Sequence, residues 1–267
     1  MSEGGAERGV QTAGVAVRIL ELLASKDDIG VTEIARSTDM TKPRAFRHLR
    51  TLVELGYAVQ RDGSERYARG PRLLALARAI GQSAEDGLIE LARPELQALH
   101  ERFNHSFNLS LVYGDSASIV ESLAGRGLIG ISVKLGEPLP LHSTAAGKLL
   151  LADRFRRSGR LPSGKLVQYT RYTLTDADEL RRELQKIATQ GWADAPQQIL
   201  LGINAISAPV HDHRGELVGM VSAMDSVQFI PDDPPAKLVD EVCRAAARME
   251  AKLTLQGGPA RPEQDFE

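Results

Sequence analysis

Three groups of side chains in this sequence are of types that do chemistry. The first is basic: Lys42, Arg44, Arg47 and Arg50 follow one another at intervals of two or three residues, with His48 among them, and Arg61 and Arg66 lie a little further on. Arginines presented by one helix can each offer a bidentate fork to guanine in a major groove, while neighbouring cations meet phosphates. Arg44 and Arg47 are assigned base readout, and Lys42, Arg50, Arg61 and Arg66 phosphate contact. The second group is His142, His211, Asp212, His213 and Cys243, types that ligate metals or pair as nucleophile and base. A zinc site needs three or four convergent ligands, and no CxxC pair or other spacing supplies them. His211-Asp212-His213 precedes Arg214-Gly215 and reads as a solvated turn. GxSxG, GxGxxG and P-loop patterns are absent, and the single cysteine, Cys243, has no base at motif spacing and reads as a small hydrophobe on a helix face. No catalytic residue, metal or cofactor is expected. The third group is Ala145-Ala146-Gly147, small residues opening a helical pattern, whose N–H groups could hold a carboxylate without a cationic side chain. Helix packing accounts for the same small residues equally well.

The elements that would position these groups can be read from periodicity. Val15, Ile19, Leu22 and Leu23 have the rhythm of an amphipathic helix. Thr32 is placed as the N-cap of a short second helix, and Thr38-Asp39-Met40 as a turn. Thr41 caps a third helix with Pro43 in its first turn, where the missing N–H is tolerated. Phe46, Leu49, Leu52 and Val53 are expected to pack inward, leaving Lys42, Arg44, Arg47, His48 and Thr51 outward. Two strands, Tyr57 to Gln60 and Arg66 to Ala68, flank Asp62-Gly63 as a wing. Two helical patterns follow, separated by a break from Gly81 to Gly87. Strand-like runs are expected at Phe107 to Tyr113, Ser118 to Leu123, Leu128 to Val133, Ile203 to Val210 and Leu217 to Met224. Helices are expected at Ser143 to Ala152, Asp176 to Gln190 and Pro235 to Leu255.

Charge distribution supports a polyanion-binding end. The whole chain carries a net −2, yet residues 42 to 72 hold eight basic and three acidic residues, a local +5, so the remainder is −2 − 5 = −7. With 42% hydrophobic and 25% charged residues the composition is that of an ordinary globular protein, and no run is long and apolar enough to span a bilayer, so no membrane partner and a cytoplasmic location are expected.

Two blocks of sequence resemble the isocitrate lyase regulator (IclR) family of bacterial transcription factors. One is Val31 to Ala35 with Met40-Thr41-Lys42-Pro43-Arg44-Ala45-Phe46-Arg47-His48-Leu49, Leu52 and Leu55-Gly56-Tyr57. The other runs from Gly136 through Pro138, Pro140, His142 and Gly147 to Lys148, followed by Gly191-Trp192-Ala193 and Ile206 to Val210. The resemblance implies an α+β chain: a flexible arm over residues 1–11, a winged helix-turn-helix domain over 12–70, a linker helix over 71–87, a GAF-like effector-binding domain over 88–256 and a disordered tail over 257–267. It implies double-stranded DNA with a palindromic operator as partner, a small organic acid as effector, and a homo-oligomer, dimer or dimer of dimers. DNA contacts would come from Thr41, Lys42, Pro43, Arg44, Arg47, His48, Arg50, Arg61 and Arg66. Effector contacts would come from Leu128, His142, Ala145, Ala146, Gly147, Asp194, Ala195, Ala205, Ser222 and Met224. Met224 stands where a serine can occur, and Gln197-Gln198 replace a frequent acidic pair. The implied pocket is therefore more apolar, which favours a larger acid, an aromatic one included, over glyoxylate or pyruvate. Two other readings stay open at this point: a small-molecule hydrolase fused to a DNA-binding end, and a DNA-binding scaffold without an effector.

Overall fold

The computed structural model describes residues 11–26, 28–61, 63–80, 84–125 and 133–256. It divides into two compact units, Met1–Gln82 and Ser83–Glu267. The arm over 1–10, the tail over 257–267, Asp62, and most of the strand expected from Leu128 to Val133 lie outside the described residues.

The first unit runs α1 (Gln11–Ser25), β1 (Ile29–Gly30), α2 (Val31–Ser37), α3 (Lys42–Glu54), β2 (Ala58–Gln60), β3 (Arg66–Arg69) and α4 (Pro71–Ile80). The strands form a three-stranded antiparallel sheet in the order β1-β3-β2. Its core joins Ile19 and Leu23 of α1 to Ile34 of α2, Leu49 and Leu52 of α3, and Tyr67 of β3. Each such fully buried side chain contributes about 2 kcal/mol through removal of apolar surface from water.

Two local expectations are corrected here. The N-cap of α2 is Gly30, not Thr32, because β1 pairs with β3 and the helix springs directly from it, the Val31 N–H bonding to the Glu65 carbonyl at 3.0 Å. The inward row of α3 is Ala45, Leu49 and Leu52, so Phe46, expected inside, is 44% exposed. Small Ala45 lets α3 lie close to its neighbours, and that choice of row turns Phe46 outward.

The second unit runs α5 (Ala84–Phe103), β4 (Ser106–Tyr113), β5 (Ser116–Leu123), α6 (Ala145–Ser158), α7 (Ala177–Gln190), β6 (Ala193–Asp194), β7 (Ile203–His211), β8 (Leu217–Ser226) and α8 (Ala236–Gln256). The helix expected from residue 88 thus starts at 84, with Gly87 inside it. The five strands form one antiparallel sheet in the order β5-β4-β8-β7-β6, making the unit an α+β domain.

Side-chain alternation divides this sheet between two helical layers. Phe107, Leu109 and Leu111 of β4, Ile206, Ala208 and Val210 of β7, and Val221 and Ala223 of β8 pack with residues of α5 and α8. Cys243 of α8 is half-buried against that core, and burial pushes its thiol above the ordinary range. The opposite face meets α6 and α7 through Ala193, Ala195, Leu217 and Met220. Residues 145–152 of α6 are all buried, Lys148 among them, and its other polar residues gather at its more exposed C-terminal end. Among the described residues no helix is long and apolar enough to cross a membrane.

Candidate DNA-binding face and effector cavity

The basic face of the first unit is built on the opening turns of α3. Thr41 is the N-cap by backbone geometry, but its side chain makes no capping hydrogen bond, and Pro43 lies in the first turn. Thr41, Lys42, Pro43, Arg47 and Arg50 are exposed, whereas Arg44 and His48 are half-buried on one flank. Burial, then the charges of Arg44 and Arg47, hold the His48 imidazole below its ordinary range, so it is neutral at pH 7.

The cations differ in how far they are already engaged. Lys42 is paired with Glu65 at the foot of the wing, and Arg50 with Glu54 at 2.9 Å along the helix. Arg66, assigned to phosphate from sequence, forks across the Asp28 carboxylate, Nε to Oδ2 at 2.8 Å. That hydrogen bond holds the Asp28 carboxyl below its usual range and offsets the Arg66 charge before any DNA arrives. Arg44, Arg47 and Arg61 have no ion-pair partner among the described residues. Arg47 is thus the exposed, unneutralised arginine on the outward line of α3.

The second unit encloses a cavity of about 370 Å³ between the sheet and the segment leading into α6. Six sequence-assigned residues line it: Ala145, Ala146, Ala195, Ala205, Ser222 and Met224. Three others do not. His142 is buried beside it, its Nε2 donating to the Val167 carbonyl at 2.8 Å and its ring packed at 6.0 Å from that of Tyr169, which itself lines the cavity. Gly147 is occupied as a cap partner: its N–H donates to the Thr144 hydroxyl at 3.1 Å, which removes it as a carboxylate donor. Its glycine identity has a steric cause, since a Cβ there would lie 2.5 Å from Leu141 Cα. Asp194 does not line the cavity and lies 3.8 Å from Lys186 of α7. Leu128 lies outside the described residues.

The cavity also recruits residues that the sequence reading left unassigned, Asn108, Ser110 and Ser143 among them. Asn108, Ser110, Ser207 and Ser222 share a sheet face, because Ser222 is registered with both Asn108 and Ser207 and residues two apart on a strand point the same way. Ser207 and Ser222 satisfy each other at 2.9 Å. The hydroxyls of Ser110 and Ser143 are fully buried, line the cavity and have no hydrogen-bond partner among the described residues. Leaving a buried hydroxyl unpaired costs about 1–3 kcal/mol, so both are groups that a bound molecule could satisfy. The N–H groups of Ala145 and Ala146, in the first turn of α6, have no acceptor within the helix and add its positive end. Ile119, Leu139, Ile199, Leu200 and Ile203 supply aliphatic wall. The only cation on the lining among the described residues is Lys134, exposed and paired with Glu137 at 3.0 Å.

The remaining chemical groups serve structure. Asp212 Oδ1 accepts the Arg214 and Glu216 N–H groups and closes the β7–β8 turn, while His211 Nδ1 lies 2.7 Å from Glu250 of α8. Among the described residues no group of three His, Cys, Asp or Glu side chains could hold a metal ion.

Comparison with known proteins agrees with both halves. Residues 12–62 match the IclR helix-turn-helix domain, and residues 83–250 match the bacterial transcriptional regulator IclR C-terminal domain. The chain is 28% identical over 243 residues to the HTH-type transcriptional regulator KdgR of Escherichia coli, covering 90% of this chain and 92% of that protein. It is 30% identical over 234 residues to the glycerol operon regulatory protein of Streptomyces coelicolor, covering 83% and 87%. The solved IclR of Thermotoga maritima superposes with a TM-score of 0.71 at 24% identity over 92% of this chain and 99% of that one. An IclR homolog from Microbacterium hydrocarbonoxydans, complexed with 4-hydroxybenzoate, does so with a TM-score of 0.69 at 21% identity over 91% and 98%. With one domain match covering more than half of its length and the other its helix-turn-helix, the chain belongs to the IclR family of bacterial transcriptional regulators.

Proposed function

We propose that this regulator is a sensor whose C-terminal cavity takes an organic acid with an apolar, ring-sized body, and whose affinity for a palindromic operator changes when that acid binds. The observation that carries the reading is the pair of buried, unpartnered hydroxyls, Ser110 and Ser143, in a cavity that also receives the Ala145 and Ala146 N–H groups. A carboxylate at the head of α6 would be held by those donors and the helix dipole. The aliphatic wall suits a ring, and a polar substituent on it would meet Asn108 and Ser110. The 4-hydroxybenzoate complex of the Microbacterium relative supports an acid of this size.

On the DNA side, Arg47 reads a base edge with Arg44 beside it, Thr41, Lys42, Arg50 and Arg61 meet phosphates, and Pro43 and His48 contribute contact surface. Arg66 holds the wing through Asp28. Two copies of the chain, as a dimer or a dimer of dimers, would present two such faces to the half-sites of the operator. The acid is bound and released without reaction: the nearby imidazole, His142, is tied to a carbonyl, and Lys134, the cation of the lining among the described residues, is paired with Glu137.

Thermal denaturation of the full chain with hydroxybenzoates, benzoate, pyruvate and glyoxylate, each also incubated and assayed for turnover, tests this. Stabilisation by the ring acids without product supports it, because a ligand that binds only the folded state raises its melting temperature. Equal stabilisation by glyoxylate, or consumption of any acid, overturns it.

A further inference from the structure

The recognition helix carries a side chain that none of the basic chemistry explains. Phe46 sits one residue before Arg47, in the second turn of α3, with its ring 44% exposed. It lines a surface cleft with Lys42, Pro43, Arg47 and Glu65. Glu65 precedes β3, so the cleft lies between the first two helical turns and the foot of the wing, and Phe46 is absent from the core beneath. Exposing an aromatic ring to water is unfavourable at roughly 25 cal/mol per Å² of apolar surface. The surroundings are cationic where they are not paired, which suits a polyanion and not an apolar protein partner.

We infer that Phe46 is a specificity-determining residue that reads thymine, its ring packing against the 5-methyl group of a thymine in the major groove when α3 docks. This rests on the DNA-binding reading of the face. Thymine alone among the bases presents a methyl group in that groove, and an apolar side chain distinguishes it without a hydrogen bond. Pro43, one helical turn earlier, adds a second apolar surface to the same cleft. Arg47 would then take guanine and Phe46 an adjacent thymine, so the two neighbours read different base types from one turn.

The experiment uses the full chain and a duplex enriched by it from a randomised library. Each thymine of that duplex is replaced in turn by deoxyuridine, which removes the methyl and keeps the hydrogen-bonding edge. The expected result is about a fourfold loss of wild-type affinity at one thymine per half-site, from about 0.8 kcal/mol per buried methyl-sized group. Phe46→Ala should bind the thymine and deoxyuridine duplexes alike, and Phe46→Leu should keep part of the difference. Both variants should melt as the wild type does, because Phe46 lies outside the core. The inference is overturned if no deoxyuridine weakens wild-type binding, or if Phe46→Ala keeps the full discrimination. Failure of the wild type to enrich any duplex would appear before a base is altered, and would overturn the DNA-binding reading together with this one.

Discussion

Ser110 and Ser143 carry a signature that separates a ligand site from a structural one. Each buries a hydroxyl with no partner among the described residues, so Ser110→Ala or Ser143→Ala should leave the ligand-free chain as stable or more stable by about 1 kcal/mol. The same change should weaken effector binding about tenfold, as expected for one lost hydrogen bond to a charged or polar ligand group. Denaturation with and without the acid reads both effects, and a loss of stability in the free chain would assign the hydroxyls to structure. Lys148 behaves oppositely: it is fully buried and pairs with Glu183, burial driving its ammonium below the ordinary lysine range against the pull of that carboxylate. Lys148→Ala strands Glu183 and should cost about 3–5 kcal/mol in chemical denaturation. Asn108 and Ser110 escaped the sequence reading because alternation along β4 gives them the look of a solvent face. Only α6 and its leading segment, far away in sequence, turn that face into a cavity wall. Ala145 and Ala146 were legible because a run of small residues opening a helix has its own chemistry.

At the scale of elements, the pairing of His211 on β7 with Glu250 on α8 gives the domain a pH dependence. His211 donates to the Glu250 carboxylate, and that hydrogen bond raises the His211 pKa; burial pushes the Glu250 pKa up, but the bonds from His211 bring it below its ordinary value. A raised histidine contributes stability that is complete below its unfolded value near 6.5 and disappears as pH rises through the folded value. A lowered glutamate contributes stability above its unfolded value that is lost as pH falls through the folded one. His211→Gln should therefore lower the melting temperature most near pH 6 and progressively less as pH rises above it, a trend that thermal scans across that range would detect. The same scale shows what local sequence can and cannot specify. Asp176 capping α7 by accepting the Asp178 and Glu179 N–H groups, and the left-handed Gly191 closing it, were readable because caps are local. The start of α2 at Val31 was not, since it depends on β1 pairing with β3 more than thirty residues away. Phe46 was misplaced for a related reason, the inward row of α3 being chosen by the small Ala45.

For the molecule as a whole, the local +5 of residues 42 to 72 within a chain of net −2 concentrates the basic charge in the first unit. The structure refines that count, because Lys42, Arg50 and Arg66 are already paired while Arg47 and Arg61 have no ion-pair partner among the described residues. Two-part organisation was visible in the change from helical to strand-like periodicity, and the two units divide between Gln82 and Ser83, within the stretch read as a linker. The most direct test of the account is the salt dependence of full-chain binding to its enriched duplex and to a scrambled duplex, for the wild type, Arg47→Ala and Arg61→Ala. The account predicts that Arg47→Ala closes most of the gap between the two duplexes, while Arg61→Ala weakens both and reduces the log–log salt slope by about one. Binding that keeps its sequence preference and its slope in both variants would contradict it.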